Sequence, residues 1–270
     1  MRTDPIEKRL GFGVVARRPG VDDQLAPLGQ ALEELGYAEL WANDGRGRSG
    51  LATLRAAAGT SSGLDLGLGV APLSDKTPGD VAAEVLRLGL PPARLILGLG
   101  TGSGSSLVAV RDGVAELRRL VPDARVAVAA LGPRMCRLGG EVADVVLLNW
   151  AWPDRIVWSR DRIAEGAEAA GRPPPRVAGY VRVAIGNDAV ARLVGEADRY
   201  RGRPRPYARH FDEQQVTGGH VPGVAVVDPR EVSVALAPYR DALDSCVVRA
   251  LPSGESATEL IEIARAAAGR

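Results

Sequence analysis

The chain has 270 residues, 46% of them hydrophobic and 25% charged, a globular composition that excludes intrinsic disorder. Lys and Arg (34) nearly cancel Asp and Glu (33), which excludes a global field drawing the protein onto nucleic acid or an anionic membrane. Residues 1–10 are charged rather than apolar and no uncharged run approaches the ~20 residues of a membrane span, so a cytoplasmic protein with no membrane partner is expected.

In chain order, Gly11–Ala16 is the first apolar run of strand length. The following segment places Leu25, Leu28, Leu32 and Leu35 on one helical face, with Glu33 and Glu34 outward and Gly36 set to stop the helix. The runs Ala38–Ala42, Leu64–Ala71, Leu95–Leu99, Val126–Leu131, Val145–Asn149, Val177–Ile185 and Ser245–Ala250 follow. Most are near-continuous in Val, Leu, Ile and Ala, as parallel strands covered on both faces are. Helical stripes lie between or after them: Val81, Val85 and Leu88; Leu107, Val110, Val114, Leu117 and Val121, ended by Pro122; Ile156, Ile163 and Ala167; Leu260, Ile261 and Ala264. Eight βα units predict a single α/β domain over residues 1–270, a (β/α)8 TIM barrel.

The spacing lengthens once, between Ile185 and Ser245. There the sequence reads as a helix near Asp188–Tyr200, an irregular insertion over 203–223, a short run Val224–Val227 and a helix near Arg230–Leu243. The competing architecture, an open doubly wound sheet, would place a phosphate loop after the first strand. Here Gly11-Phe12-Gly13 begins the first run, and the glycine-rich stretch comes after the fourth.

Cys136 and Cys246 lack CxxC spacing and sit among apolar neighbours, which predicts two buried thiols. His210 and His220 share one Pro/Gly/Arg-rich stretch without HExxH or a nearby Cys/Asp cluster, so no metal site is expected. The strongest local signal is Gly98-Leu99-Gly100-Thr101-Gly102-Ser103-Gly104, set between a strand and a helix. Glycines there allow close backbone approach, and the helix start offers free N–H groups to an anion. No lysine follows, which disfavours a nucleoside triphosphate. Gly132-Pro133-Arg134 repeats the strand-to-helix arrangement with a cation added. Asp44, in Trp41-Ala42-Asn43-Asp44-Gly45, stands where a barrel strand ends at the mouth, a position suited to binding or catalysis, though Asp-Gly is equally a common turn pair.

Asn149-Trp150-Ala151-Trp152-Pro153 offers two aromatic rings to wall a site or fill a core. Arg199, Arg201, Arg203, Arg205 and Arg209, interleaved with Tyr200 and Tyr207, read either as an anion-binding lid or as a solvated loop. There is no GxSxG motif and no Ser/His/Asp set, which points to chemistry carried by a bound cofactor acting on a small-molecule substrate.

Five segments together resemble the luciferase-like monooxygenase superfamily, in particular its coenzyme F420-dependent oxidoreductases. They are Leu35-Gly36-Tyr37 leading into Leu40 to Asp44, Leu66 to Pro72, Leu97 to Gly102, Ala129 to Pro133 and Ala143 to Trp150; the likeness spans about Leu10 to Gly202. It implies a luciferase-like barrel with a shortened insertion. It also implies a backbone bulge at Gly69, Val70 and Ala71, often with a non-prolyl cis peptide, beneath the middle ring of the cofactor. Gly100, Thr101, Gly102 and Ser103 together with Gly132, Pro133 and Arg134 would line the cofactor site and hold its phosphate, with Asn149 and Trp150 at its rim and Asp44 as the catalytic candidate. The resemblance implies hydride transfer with F420, with FMN and a monooxygenase reaction as the alternative, and a homodimer. Two positions depart from the family pattern. Gly45 stands where many relatives carry a histidine, and Ser103 and Gly104 stand where some deazaflavin-dependent relatives carry an acid. A non-catalytic cofactor-binding or structural barrel is therefore the third reading.

Overall fold

The structure is a computed structural model and describes residues 8–16, 25–45, 47–104, 106–202, 205–254 and 256–270; of Arg205 only the backbone is described. Strands and helices alternate: β1 Arg9–Val15, α1 Ala26–Glu34, β2 Glu39–Asn43, α2 Gly50–Ala58, β3 Asp65–Pro72, α3 Pro78–Leu88, β4 Leu95–Gly100, α4 Leu107–Leu120, β5 Arg125–Ala130, α5 Pro133–Val142, β6 Val145–Asn149 and α6 Pro153–Ala169. Then come β7 Arg176–Ile185, α7 Ala189–Arg201, α8 Arg205–Glu213, β8 Val224–Val226, α9 Val232–Ala235, α10 Ala237–Ala242, β9 Ser245–Ala250 and α11 Ala257–Ala268. All strand pairings are parallel, and β1 through β7 followed by β9 close into an eight-stranded barrel through the β6–β7 and β9–β1 pairs. Closure leaves none of these strands as a bare sheet edge.

The helices start where the sequence offers caps. Ser49, Ser106 and Ser256 accept from the third residue beyond them, and Thr77 with Asp80 forms a reciprocal capping box. The expected stripes face the sheet: Leu25, Leu28 and Leu32, then Val110, Val114 and Leu117, are buried in the shell between barrel and helices. Helices α5 and α6 approach most closely, because Gly140 and Gly166 lie where a Cβ would meet the Ile163 and Arg137 carbonyl oxygens at 2.0 Å. Cys136 and Cys246 are buried free thiols. Among the described residues no helix is long and apolar enough to cross a membrane.

Two expectations in the long connection are corrected. The 203–223 segment is not irregular throughout, since α8 occupies Arg205–Glu213. Pro206 sits in its first turn, where a missing N–H costs nothing, and His210 and Phe211 turn inward while Arg209, Asp212 and Glu213 face solvent. The single helix near Arg230–Leu243 is a 3-10 turn over Pro229–Glu231 followed by α9 and α10, and Pro238 stands at the start of α10. The short β8 pairs with the end of β7, which runs past the barrel wall at Val183–Ile185. Over it lies a satellite core of Trp150, Leu193, Ala197, Phe211, Val216 and Val221.

Candidate active site at the barrel mouth

Inside the barrel, side chains stack in layers. At the N-terminal end Glu39 is fully buried and accepts from Trp41 Nε1 at 2.7 Å and Ser245 Oγ at 2.9 Å, while pairing with Arg9 at 3.3 Å and Arg176 at 3.0 Å. Asp65 pairs with Arg9 at 2.7 Å and Arg125 at 2.6 Å. This plug closes the bottom. Above it Trp41, Ile96, Ala127, Val145, Leu147, Ala178 and Val247 form a dry middle layer. The Trp41 ring lies against Gly67, where a Cβ would come within 2.1 Å of it.

The upper layer is asymmetric. On β3 and β4 the positions facing the mouth are glycine. A Cβ on Gly69 would meet the Tyr180 hydroxyl at 2.4 Å, one on Gly98 the Leu68 carbonyl at 2.3 Å, and one on Gly100 the Val70 methyl at 2.9 Å. The β3–β4 register shifts between Leu68 and Ala71, and the Gly69–Val70 peptide is cis, as the resemblance implied. The bulge presents Val70 toward the interior, beside Tyr180, whose hydroxyl donates to the Gly69 carbonyl at 3.2 Å. Burial pushes that hydroxyl well above the usual tyrosine range, so it remains a donor. Opposite this small-residue wall stand Tyr180 and Arg182 on β7 and Arg249 on β9. The result is a side-chain-free shelf, already packed by Leu68 and Val70 at Gly98 and Gly100, with no room there for any side chain.

The expected site residues separate into groups. Gly69, Val70 and Gly100 belong to the shelf, while Ala71 is buried in the shell between barrel and helices. Gly102 has φ +61° and a Cβ there would strike Ser74 Oγ at 2.1 Å, so its glycine serves the packing of the β4–α4 loop on the β3–α3 loop. Ser103 holds the same contact, its N–H donating to Ser74 Oγ at 3.2 Å, and Thr101 lies half-buried between. Gly132 caps α5 without a side-chain acceptor and has nothing within 4 Å of where a Cβ would lie; Pro133 follows and Arg134 is exposed. That helix start keeps orphan N–H groups at the mouth.

Asp44 is engaged locally. One carboxylate oxygen accepts from the Gly50 N–H at 2.7 Å, at the start of α2, and the other pairs with Lys76 at 2.8 Å; its side chain is 5% exposed. Lys76 also pairs with Glu84, which accepts from Ser49 Oγ. Burial works against the Lys76 ammonium, but Asp44 and Glu84 outweigh it and hold its pKa above the ordinary lysine value. A recess of about 370 Å³ opens beside this network, lined by Gly45, Gly47, Pro72 and Asp75. A larger one of about 510 Å³ lies against α11 and Pro229, outside the barrel and remote from the shelf.

Asn149 reaches the mouth and Trp150 does not. Asn149 accepts from Arg182 and donates to the Tyr207 hydroxyl at 2.9 Å. Trp150 has φ +52° and turns away into the satellite core, its ring covered by Arg182 at 3.9 Å and edged by Tyr200 and Phe211. Its carbonyl receives His210 Nε2 at 2.8 Å and Gln214 Nε2 at 2.9 Å, which hold that left-handed backbone in place. Trp152 stacks on His220 at 4.5 Å, away from the shelf. Of the basic stretch, Arg199, Arg201 and Arg209 are helical and pair with Glu196, Asp198 and Glu213 on their own helices. Arg203 and the Arg205 side chain lie outside the described residues. Among the described residues no cluster of three metal-ligating side chains occurs.

His210 gives a pH prediction. Burial first, and Arg155 after it, push its pKa down to about 4, and Nδ1 is buried without a partner. The native state therefore stays neutral where the unfolded chain, with pKa near 6.5, takes up a proton. Stability should be full above about pH 6.5 and fall by about 3 kcal/mol as pH drops toward 4. Urea midpoints across that range should show this slope in the wild type and a flatter profile in His210→Gln; parallel profiles overturn the assignment.

The fold is a (β/α)8 barrel of luciferase-like type, with the glycine shelf at the C-terminal ends of its strands. The family model for luciferase-like monooxygenases matches residues 17–120 and 113–220, and the chain belongs to that family. A 5,10-methylenetetrahydromethanopterin reductase of Methanolobus tindarius is 26% identical over 204 residues, covering 62% of this chain and 63% of that protein, so the match spans less than two thirds of that relative's length. Among solved structures, the coenzyme F420-dependent tetrahydromethanopterin reductase of Methanopyrus kandleri superposes with a TM-score of 0.70 at 18% identity, over 95% of this chain and 97% of that one. An F420-dependent secondary alcohol dehydrogenase, solved with an F420-acetone adduct, superposes with a TM-score of 0.75 at 15% identity, over 98% and 99%. The FMN-bound oxygenating component of 3,6-diketocamphane monooxygenase of Pseudomonas putida gives 0.66 at 14%, over 96% and 97%. These likenesses establish the shared fold.

Proposed function

We propose that the chain, as one cytoplasmic domain working as a homodimer, is an oxidoreductase that binds coenzyme F420 at the barrel mouth and acts on a small organic molecule. The observation that carries the reading is the side-chain-free wall of Gly69, Gly98 and Gly100 on β3 and β4, packed against the β3 bulge. Gly69 and Val70 would support the ring from below, and the starts of α4 and α5, with Arg134, would receive the phosphate. When bound, the deazaflavin supplies the hydride chemistry; the chain binds it, orients it and excludes water from the layer above Trp41. Tyr180 holds the bulge through the Gly69 carbonyl. The second reading, an FMN-dependent monooxygenase, is supported by the same shelf, which accepts either three-ring system.

Fluorescence titration tests this, with Trp41 beneath the shelf as the reporter. Saturation in about the micromolar range by F420 alone is the expected result. Saturation by FMN alone moves the assignment to the monooxygenase, and failure of both leaves a non-catalytic barrel.

Asp44 enters this proposal by holding Lys76 and the first turn of α2 at the mouth, beside the shelf. Asp44→Ala should lower turnover at least about tenfold and cost about 1–2 kcal/mol of stability through the lost cap and ion pair. Unchanged turnover and cofactor affinity would remove Asp44 from the function.

A further inference from the structure

Two buried cations at the mouth are left over by the shelf and by the loops. Arg182 and Arg249 are register partners on the adjacent strands β7 and β9, and they are 1% and 6% exposed. Each has a neutral amide for a partner: Arg182 Nη1 donates to Asn149 Oδ1, and Arg249 Nη2 donates to Asn43 Oδ1 at 3.1 Å. Arg182 Nε and Arg249 Nη1 are buried with no partner at all. Among the described residues neither guanidinium has a carboxylate within ion-pair distance. Burial lowers the pKa of Arg182, and the charge of Arg249 adds to that, yet a guanidinium stays protonated in a protein.

The other end of the same barrel shows that the chain neutralises buried arginines where nothing else will. At the closed bottom Arg9, Arg125 and Arg176 share Glu39 and Asp65. At the open top the counter-charge is missing. An uncompensated buried charge is strongly unfavourable, and a bound anion is the group that relieves it. The stem of Arg249 runs past Gly13 and the Tyr180 ring, its Cδ lying 3.3 Å from where a Gly13 Cβ would be, and its head reaches over β1 to Asn43 on β2. Arg182 is held from behind by Trp150 at 3.9 Å and Tyr200 at 5.2 Å. The pair thus forms the wall opposite the glycine shelf, the side that a substrate rather than the ring would meet.

We propose that Arg182 and Arg249 are specificity-determining residues that seat an oxyanion of the substrate, and that the substrate class is a small organic carboxylate. The planar fork of a guanidinium matches the two oxygens of a carboxylate, and a neutral isostere leaves the fork unpaired. This rests on the oxidoreductase reading for the ring that occupies the opposite wall.

Benzoate and benzamide, alike in shape and different in charge, serve as probes. Each is titrated by tryptophan fluorescence against the purified full chain, with and without F420, in wild type, Arg249→Met and Arg249→Lys. Benzoate should bind at least about tenfold more tightly than benzamide, Arg249→Met should abolish the preference, and Arg249→Lys should restore part of it. F420 affinity should change by less than about threefold, since a contact the ring does not make contributes nothing to its binding. Equal affinity for the two probes, or a preference that survives Arg249→Met, overturns the proposal. Loss of F420 affinity in Arg249→Met with the benzoate preference intact also overturns it, because the cation then serves the cofactor. If Arg249→Met does not fold, the wild-type comparison decides alone: acetate added in excess must compete with benzoate for a carboxylate seat and leave benzamide binding unchanged. Absence of F420 and FMN binding alongside an intact benzoate preference removes the oxidoreductase reading and leaves the anion seat standing.

Discussion

Replacing Glu39 by alanine is expected to destabilise the barrel by about 3–5 kcal/mol, the cost of removing one partner from a buried ion pair and leaving the other uncompensated. Four groups converge on this carboxylate, from β1, β2, β7 and β9, so its loss reaches strands on both sides of the closing seam. Arg176 suffers most, because burial already pulls its guanidinium pKa down and its Nε and Nη2 have no other partner. Glu39→Gln, which keeps an acceptor for Trp41 and Ser245 but no charge, should fall between alanine and wild type. Urea unfolding followed by Trp41 emission measures both; a shift below about 1 kcal/mol for Glu39→Ala would show that the plug contributes packing alone.

Gly98→Ala is expected to abolish cofactor binding while leaving a folded barrel. The added Cβ would lie 2.3 Å from the Leu68 carbonyl oxygen and 2.7 Å from a Val70 methyl, so the strand carrying the bulge must move. Displacing the shelf by even a few tenths of an ångström should reduce affinity by about a hundredfold or more, roughly 2.7 kcal/mol. Overpacking should cost a further ~1–3 kcal/mol of stability. Gly195→Ala on α7 is the matched control, since nothing stands within 4 Å of the new methyl. Isothermal titration with F420 and with FMN reads the difference, and an alanine at 98 that binds normally would place the ring elsewhere.

The eight barrel strands were legible because each is a short, near-continuous apolar run, and the helices because their stripes repeat at helical spacing. The same criterion hid the charged plug. The apolar runs starting at Gly11, Val126 and Val177 leave out Arg9, Arg125 and Arg176, while Glu39 and Asp65 stand as single charges inside theirs; all five occupy first strand positions. Setting the strand starts side by side reveals two carboxylates ringed by three arginines, which no single run displays. Helix α8 escaped notice because its proline, its arginines and its charged outer face read as loop, while its inward contact is made by only a few residues such as His210 and Phe211.

At the site, the shelf was visible as glycines at the ends of the third and fourth runs, and the bulge came from resemblance. Arg182 and Arg249 were passed over because each is one charge inside an otherwise apolar run. Their importance depends on what fails to surround them, a property of three dimensions. Asp44 was conspicuous in sequence for the position that also commits it to Gly50 and Lys76.

The satellite core has a consequence for how the mouth opens. Phe211, Val216 and Val221, with Leu193 and Ala197, pack on Trp150 apart from the barrel's own interior and sheet-to-helix shell. Such a cluster forms a cooperative unit of lower local stability than the ladders beneath it. Amide hydrogens of α7 and α8 should exchange by sub-global opening at a smaller free energy than those of β1 to β6. Each excursion would lift Tyr200 and its neighbours off Arg182 without breaking a barrel hydrogen bond. Access to the buried cation and persistence of the fold would then be governed by two separate equilibria.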